Sequence, residues 1–210
     1  MSTKTQNYKY RLSGNTYLSS FFAYADGSVL CTGDLSTNYS TSSTFTVRGN
    51  LYVEGNFVPQ CPLHVTGNVY VGGNFTTTWN MPVYVAGSLY VGGNTDFQGT
   101  TTVGNSFFCG GNVNFFNGNG TNYKFYSVKC LGDLNSQSAW GAKINISNST
   151  FVYGKMILGA GDNTINGSIY VMGHGYGSDD DVCNLNGGLH LYGDVWCGGE
   201  YCPSAATATV

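Results

Sequence analysis

VRGNLYVEGNF (residues 47–57) returns as VTGNVYVGGNF (residues 65–75), and this near-repetition decides the fold. The residue that matches Val47 recurs at Val65, Val85 and Val103, so the residue number rises by 18, 20 and 18. Further columns keep the same steps; they are Leu51, Val69, Leu89 and Phe107; Val53, Val71, Val91 and Cys109; Gly55, Gly73, Gly93 and Gly111; and Asn56, Asn74, Asn94 and Asn112. Several columns in one register indicate a repeat protein.

Each repeat contains a shorter period of six residues, which separates Val47 from Val53. Because a step of 18 contains three such periods, the repeat predicts a three-sided coil. Leu51 and Val53 are apolar and flank Tyr52, so we expect a short strand that buries the first two side chains and exposes the third. The Gly-Asn pairs between strands predict corners, because glycine adopts positive φ without steric cost and asparagine tolerates it. Asn105 stands in a glycine column, and we expect it there on the same grounds.

The repeat explains how such short strands could form a core. One coil of three strands cannot bury its own inner face, whereas coils stacked about 4.8 Å apart pair their strands and enclose a continuous core. The sequence therefore predicts an all-β fold: a single parallel β-solenoid, or β-helix, with three-sided, right-handed coils of roughly 18–20 residues and almost no helix. About ten coils fit the chain. A β-sandwich of hairpins with Gly-Asn turns is the competing fold.

The repeat defines the expected organisation of the chain. We expect a basic N-terminal segment at 1–11, the solenoid at 12–202 with an irregular part at 113–160, and a C-terminal tail at 203–210. The units GNLYVEGNF (49–57) and GNVYVGGNF (67–75) resemble those of bactofilins, which are polymer-forming β-helix proteins of bacterial cytoskeletons. That resemblance implies a triangular solenoid that polymerises end to end without nucleotide.

Composition excludes several classes of partner. Charged residues make up only 9% of the chain, against about a quarter in ordinary soluble domains, and the net charge is −3. We therefore expect no nucleic acid partner. No window approaches the roughly 18 apolar residues of a membrane span, and the start, MSTKTQNYKYRLSG, has no apolar run of signal-peptide length, so we expect no membrane insertion. A surface or extracellular fibre, a virion component and a cytoplasmic filament all fit this composition.

The sequence offers little chemistry. No triad, cofactor motif or paired metal-ligand spacing emerges, so we predict a protein that is not an enzyme and has no cofactor. Asp179, Asp180 and Asp181 form the one candidate site for a hard cation such as calcium, but they lack the spacing of an EF-hand and we interpret them as a solvated corner. A glycan-binding or glycan-cleaving β-helix of the tailspike type is the alternative function, and it rests on analogy of fold.

The seven cysteines do not form a metal motif. We interpret the first five as small buried residues; they are Cys31, Cys61, Cys109, Cys130 and Cys183. The last two, in the segment CGGEYC, are the candidate local disulfide, Cys197–Cys202.

The outward positions predict self-association. An aromatic column should run up one side of the solenoid, and its members are Tyr52, Tyr70, Tyr90 and Phe108, with Tyr170 and His190 in the matching place of later coils. It could stabilise neighbouring strands, contact another subunit or bind a sugar. The charges divide along the axis: Lys4, Lys9 and Arg11 precede any acid, and Asp194 and Glu200 follow the last base. We therefore predict a structural protein whose subunits stack head to tail through open ends into a filament, tube or layer.

Overall fold

The computed structural model describes residues 8–19, 24–116, 118, 120–139, 141–159, 161–176, 181–185, 188–198 and 200–202, and of residues 181 and 200–202 it describes the backbone alone. The predicted parallel β-solenoid is confirmed. The described chain is all-β, and its strands pair in parallel with the strands of the preceding and following coils. The hairpins of a β-sandwich require antiparallel neighbours, so that alternative is wrong.

The strands form three faces of a solenoid. Face one contains β1 (Tyr10–Leu12), β4 (Val29–Cys31), β7 (Leu51–Val53), β10 (Val69–Val71), β13 (Leu89–Val91), β15 (Thr101–Cys109), β17 (Asn122–Cys130), β20 (Thr150–Val152), β23 (Ile169–Val171) and β26 (Val195–Cys197). Face two contains β3 (Tyr24–Ala25), β6 (Phe45–Val47), β9 (Leu63–Val65), β12 (Val83–Val85), the first parts of β15 and β17, β19 (Lys143–Ile146), β22 (Asp162–Ile165) and β25 (Gly188–Leu191). Face three contains β2 (Thr16–Leu18), β5 (Leu35–Thr37), β8 (Phe57–Val58), β11 (Phe75–Thr76), β14 (Thr95–Phe97), β16 (Val113–Phe115), β18 (Leu134–Asn135), β21 (Met156–Leu158), β24 (Asp181–Leu185) and β27 (Glu200–Cys202).

The register follows the columns read from the sequence. On face two Val47 pairs with Val65, Val65 with Val85, and Val85 with Val103. Some coils elsewhere are longer than the central repeat indicates. Leu51 pairs with Val69 in the following coil, whereas the partner of Ile169 in the following coil is the more distant Val195. Extra residues lie at corners, and within 113–160 the strands of all three faces still pair with those of the neighbouring coils.

The core is a continuous column inside the three faces. Leu51 and Val53 are 0% and 2% exposed, and Tyr52 between them is only half-buried, which confirms the predicted alternation. The inward residues of face three add a row of phenylalanine rings, in which Phe57 packs on Phe75 with 5.5 Å between centroids. The five cysteines interpreted as buried are buried.

Most corner glycines were assigned for the wrong physical reason; the exceptions are Gly14 and Gly49, which have φ of 70° and 151°. Gly55, Gly73, Gly93 and Gly111 do not have positive φ, and among the described residues only Asn80 is a non-glycine with positive φ, so the argument made for Asn105 was also wrong. Close approach between coils is the actual constraint. A Cβ atom at Gly73 would lie 2.5 Å from Oδ1 of Asn56 and 2.9 Å from the carbonyl carbon of Gly55, so no side chain fits there.

Candidate functional site

Asparagine follows glycine at these corners because its side chain links one coil to the next. Oδ1 of Asn56 accepts a hydrogen bond from the backbone N–H of Asn74 at 2.8 Å, and Oδ1 of Asn74 accepts one from Asn94 at 2.8 Å. We call this row the first ladder; its side-chain acceptors are Asn15, Asp34, Asn56, Asn74, Asn94, Asn112 and Asp133, and its last donor is the N–H of Lys155. The ladder satisfies corner N–H groups that lie outside the strands.

A second ladder runs along the corner that leads into face one. Oδ1 of Asn50 accepts from the N–H of Asn68 at 2.8 Å, and near the top Oγ of Ser168 accepts from the N–H of Asp194 at 3.2 Å. At its base, the N–H of Lys9 donates to the carbonyl of Ser28 at 3.0 Å. The strand register places Lys9 at the bottom of this column and Asp194 at the top, so its two ends carry opposite charges.

The predicted aromatic column exists and is longer than the sequence indicated. The outward residues of face one lie in register from the first coil to the last; they are Arg11, Leu30, Tyr52, Tyr70, Tyr90, Phe108, Lys129, Phe151, Tyr170 and Trp196. We call the part from Tyr52 to Trp196 the aromatic stripe. Phe151 and Trp196 were missed, although both are the middle residues of strand triplets, TFV and VWC, that match LYV.

His190 is not part of the aromatic stripe. It pairs with Thr164 on face two, which is also the face of His64. The placement from the sequence was wrong because coil lengths change after residue 113, so counting from the regular repeats assigned His190 to the wrong side. Trp196 occupies the position on face one that had been given to His190.

The best-ordered part of the stripe is a stack of three tyrosine rings. Tyr52 and Tyr70 have centroids 4.8 Å apart and planes 1° apart, and Tyr70 and Tyr90 have values of 4.9 Å and 5°. The rings therefore cover each other's faces and present their edges to solvent. Burial and the neighbouring Tyr70 raise the pKa of Tyr52, and Nδ2 of Asn50 donates to its hydroxyl at 3.1 Å.

Further up, the stripe incorporates a cation. The ammonium of Lys129 lies 6.0 Å from the ring centroid of Phe108 and 5.5 Å from that of Phe151, so one charge is held between two aromatic rings on consecutive coils. Beside the tyrosine stack, a shallow apolar groove of about 310 Å³ lies over Gly72 and Gly92 and against Phe108. Because glycine has no side chain, the floor of the groove is backbone.

The two end layers differ from the rest of the solenoid. The first layer consists of β1, β2 and β3, and the last of β25, β26 and β27. Among the described residues, the apolar ones that pack against the core but are only partly buried all lie in these layers; they are Tyr10, Leu12, Leu191, Val195 and Cys197. Lys9 in the first layer forms an exposed ion pair with Asp26 at 3.3 Å. Lys4 lies outside the described residues, and only the backbone of Glu200 is described.

Some of the remaining ionisable side chains form small exposed clusters. Lys143 donates to Asp162 at 2.8 Å and lowers the pKa of that carboxyl, and Nε2 of His190 lies 3.5 Å from the same carboxylate. His174 stacks on Tyr153 with 4.4 Å between ring centroids. In the described part of the chain, no three His, Cys, Asp or Glu side chains converge as a metal site. Asp179 and Asp180 lie outside it, as does the side chain of Asp181.

The candidate disulfide stays a prediction. Cys197 lies on face one in β26, whereas Cys202 lies on face three in β27, and the side chain of Cys202 is outside the described part. Cys183 lies next to Cys197, and burial together with this neighbour raises the pKa of the Cys183 thiol to about 12.

Comparison with known proteins adds no relative. No protein-family model matches the chain, and no curated protein or solved structure is significantly similar to it. Among the described residues there is no helix with the length and apolar character needed to cross a membrane. The geometry of the stripe, ladders and end layers is therefore the basis for any functional proposal.

Proposed function

We propose that this chain is a non-enzymatic structural protein that assembles with itself, its subunits stacking head to tail through the two end layers into a filament, tube or layer. One observation carries the proposal. The core is closed along the sides of the solenoid and is partly exposed only in the end layers of the described chain, at Tyr10 and Leu12 on one side and Leu191, Val195 and Cys197 on the other. A second copy of the chain would cover both surfaces with the same packing that joins consecutive coils.

The backbone supports the same arrangement. β1 pairs with β4 and β26 with β23, and the described residues place no further strand beyond either end layer. An open edge of a parallel sheet is a template for another strand. Because the bottom and top edges of a solenoid are different surfaces, their contact is heterologous and does not close, so it generates a polymer. Bactofilins, which the repeat units resemble, polymerise in this general way.

The glycan alternative has weaker support. Sugars stack on exposed faces of aromatic rings. In the stack of Tyr52, Tyr70 and Tyr90, however, the rings cover the faces that they turn toward each other. The stripe in this region therefore suits packing between strands and contact through ring edges.

Blocking one end layer tests the proposal. We expect wild-type protein to sediment as polymer above a critical concentration and Leu12→Asp to remain monomeric, because the new carboxylate would be buried at the contact. Ser36→Asp is the matched control, since it adds the same charge on the outward side of face three. Circular dichroism should show the same β content in all three proteins. Wild-type protein that stays monomeric at every concentration would contradict self-assembly.

A further inference from the structure

The end layers define not only that subunits stack but also in which register. We propose that β26 of one subunit pairs with β1 of the next so that Lys9 of the next subunit lies over Asp194 and its Arg11 lies over Trp196. This inference rests on the proposed self-assembly and adds the contact that determines its alignment. It makes a second copy of the chain the partner of these four residues.

The alternation of inward and outward side chains restricts the register. Val195 and Cys197 of β26 are half-buried against the core and Trp196 is 50% exposed. In β1, Tyr10 and Leu12 likewise pack on the core. A slip of one residue would turn an outward side chain into the core, so only even slips keep the pattern. A slip of two would carry the three-residue strand past the corner and break the ladders.

The residues at the two ends of the second ladder identify which of the registers related by even slips is used. Within the chain, a side-chain oxygen of one coil accepts the N–H of the equivalent residue in the next coil, as Asn50 does from Asn68. Asp194 is the last residue of this column and Lys9 is the first. With Asp194 next to Lys9 of the following subunit, this column of residues continues across the junction. The N–H of Lys9 already donates to the carbonyl of Ser28 in its own chain, so the junction adds no hydrogen bond to the ladder. The contact is instead one between opposite charges, the carboxylate of Asp194 and the ammonium of Lys9.

The same register extends the aromatic stripe across the junction. Trp196 is the last outward residue of face one and Arg11 is the first. Their contact would place a guanidinium against an indole, which is the most favourable cation–π pairing. The chain already uses this layering internally, because Lys129 lies between Phe108 and Phe151 on the same face. On face three, β27 then meets β2 in the same way. Face two has nine strands in the described chain and the other two faces have ten, so this register leaves one strand position open between β25 and β3.

Two charge-reversal variants test the register. Asp194→Lys alone puts two cations at every junction, and Lys9→Asp alone puts two carboxylates there, so each protein by itself should need a critical concentration about tenfold higher than wild type. In a 1:1 mixture, each junction between unlike subunits pairs a cation with a carboxylate. We expect the mixture to assemble at close to the wild-type concentration, with the two variants alternating.

Controls separate the register from self-assembly itself. Lys124→Asp makes the same change of charge at an exposed position on face two, far from both ends, and should assemble like wild type and gain nothing from mixing. Polymers of wild type together with no rescue in the mixture would overturn the register and leave self-assembly standing. Absence of wild-type polymer would overturn both.

Discussion

At the scale of single residues, the Gly-Asn corner is the device that makes stacking specific. Glycine is required because the asparagine of the coil below approaches it closely, and asparagine is required because its oxygen accepts the N–H of the coil above. The pair therefore acts between coils, although the sequence suggests a purely local turn. Asp34 and Asp133 take the asparagine position within the same ladder, which shows that the acceptor is what the position needs.

Adding one methyl group at the corner should be costly. In Gly73→Ala the Cβ would lie 2.5 Å from Oδ1 of Asn56, and we expect a loss of about 1–3 kcal/mol in the free energy of unfolding from this overpacking. Gly188→Ala is the control, because its Cβ would have a single neighbour, at 3.3 Å. Denaturant unfolding of monomeric protein measures both. Equal stability of the two variants would contradict close approach as the reason for glycine.

The ladder predicts that stability depends on the side-chain oxygen at the corner and not on the amide nitrogen of asparagine. Asn74→Ala leaves the N–H of Asn94 to water at an exposed corner, so we expect a loss of about 0.5–1.5 kcal/mol. Asn74→Asp keeps an oxygen at the same place and should be close to wild type at neutral pH. The same unfolding experiment compares them. If the aspartate variant were as unstable as the alanine variant, the ladder bond would not be the source of the effect.

At the scale of elements, strands this short are stable only as members of a stack. Each inner strand has a neighbour on either side, and each buries its inward residues against the other two faces. The stripe adds a second interaction in the same direction, because Tyr70 stacks on both Tyr52 and Tyr90. We therefore expect the stripe to stabilise the folded subunit first of all, and any lateral contact between polymers to be a second role.

Removing the central ring should expose this role. Tyr70→Ser loses two stacked pairs, so we expect a loss of about 1–3 kcal/mol in the free energy of unfolding, and Tyr70→Phe, which keeps both stacks, should lose much less. Thermal unfolding followed by circular dichroism measures the difference. Should the serine variant keep wild-type stability and yet lose lateral association in electron micrographs, the stripe would be a contact surface alone.

The sequence predicted this fold well where coil length was constant. Val47, Val65, Val85 and Val103 can be aligned by eye because their steps are nearly equal, and apolar residues at alternate positions indicate which side chains are inward. Prediction failed for His190, since insertions at corners change the count without changing the strands. It also failed to explain the corner glycines, because their constraint comes from atoms a whole coil away along the chain. Contacts between coils are invisible in a local pattern.

At the scale of the whole molecule, the solenoid has a direction that its charges reinforce. The first layer carries Lys9 and Arg11, and the last carries Asp194. Raising the salt concentration from about 0.1 M to about 1 M shortens the Debye length from about 10 Å to about 3 Å, so we expect slower elongation. Light scattering at fixed protein concentration measures the rate. An unchanged rate would show that apolar packing, without charge, guides the ends together.

The proposed continuation of one subunit's solenoid by the next is tested most directly by the axial repeat measured in electron cryo-microscopy. Face one contains ten strands in its described part, and at about 4.8 Å per strand they occupy about 48 Å. We predict filaments, tubes or layers in which subunits repeat at about 48 Å along the strand-stacking direction, with no break in the strand spacing of face one at the junction. Discrete rods one subunit long that remain separate at high concentration would contradict it.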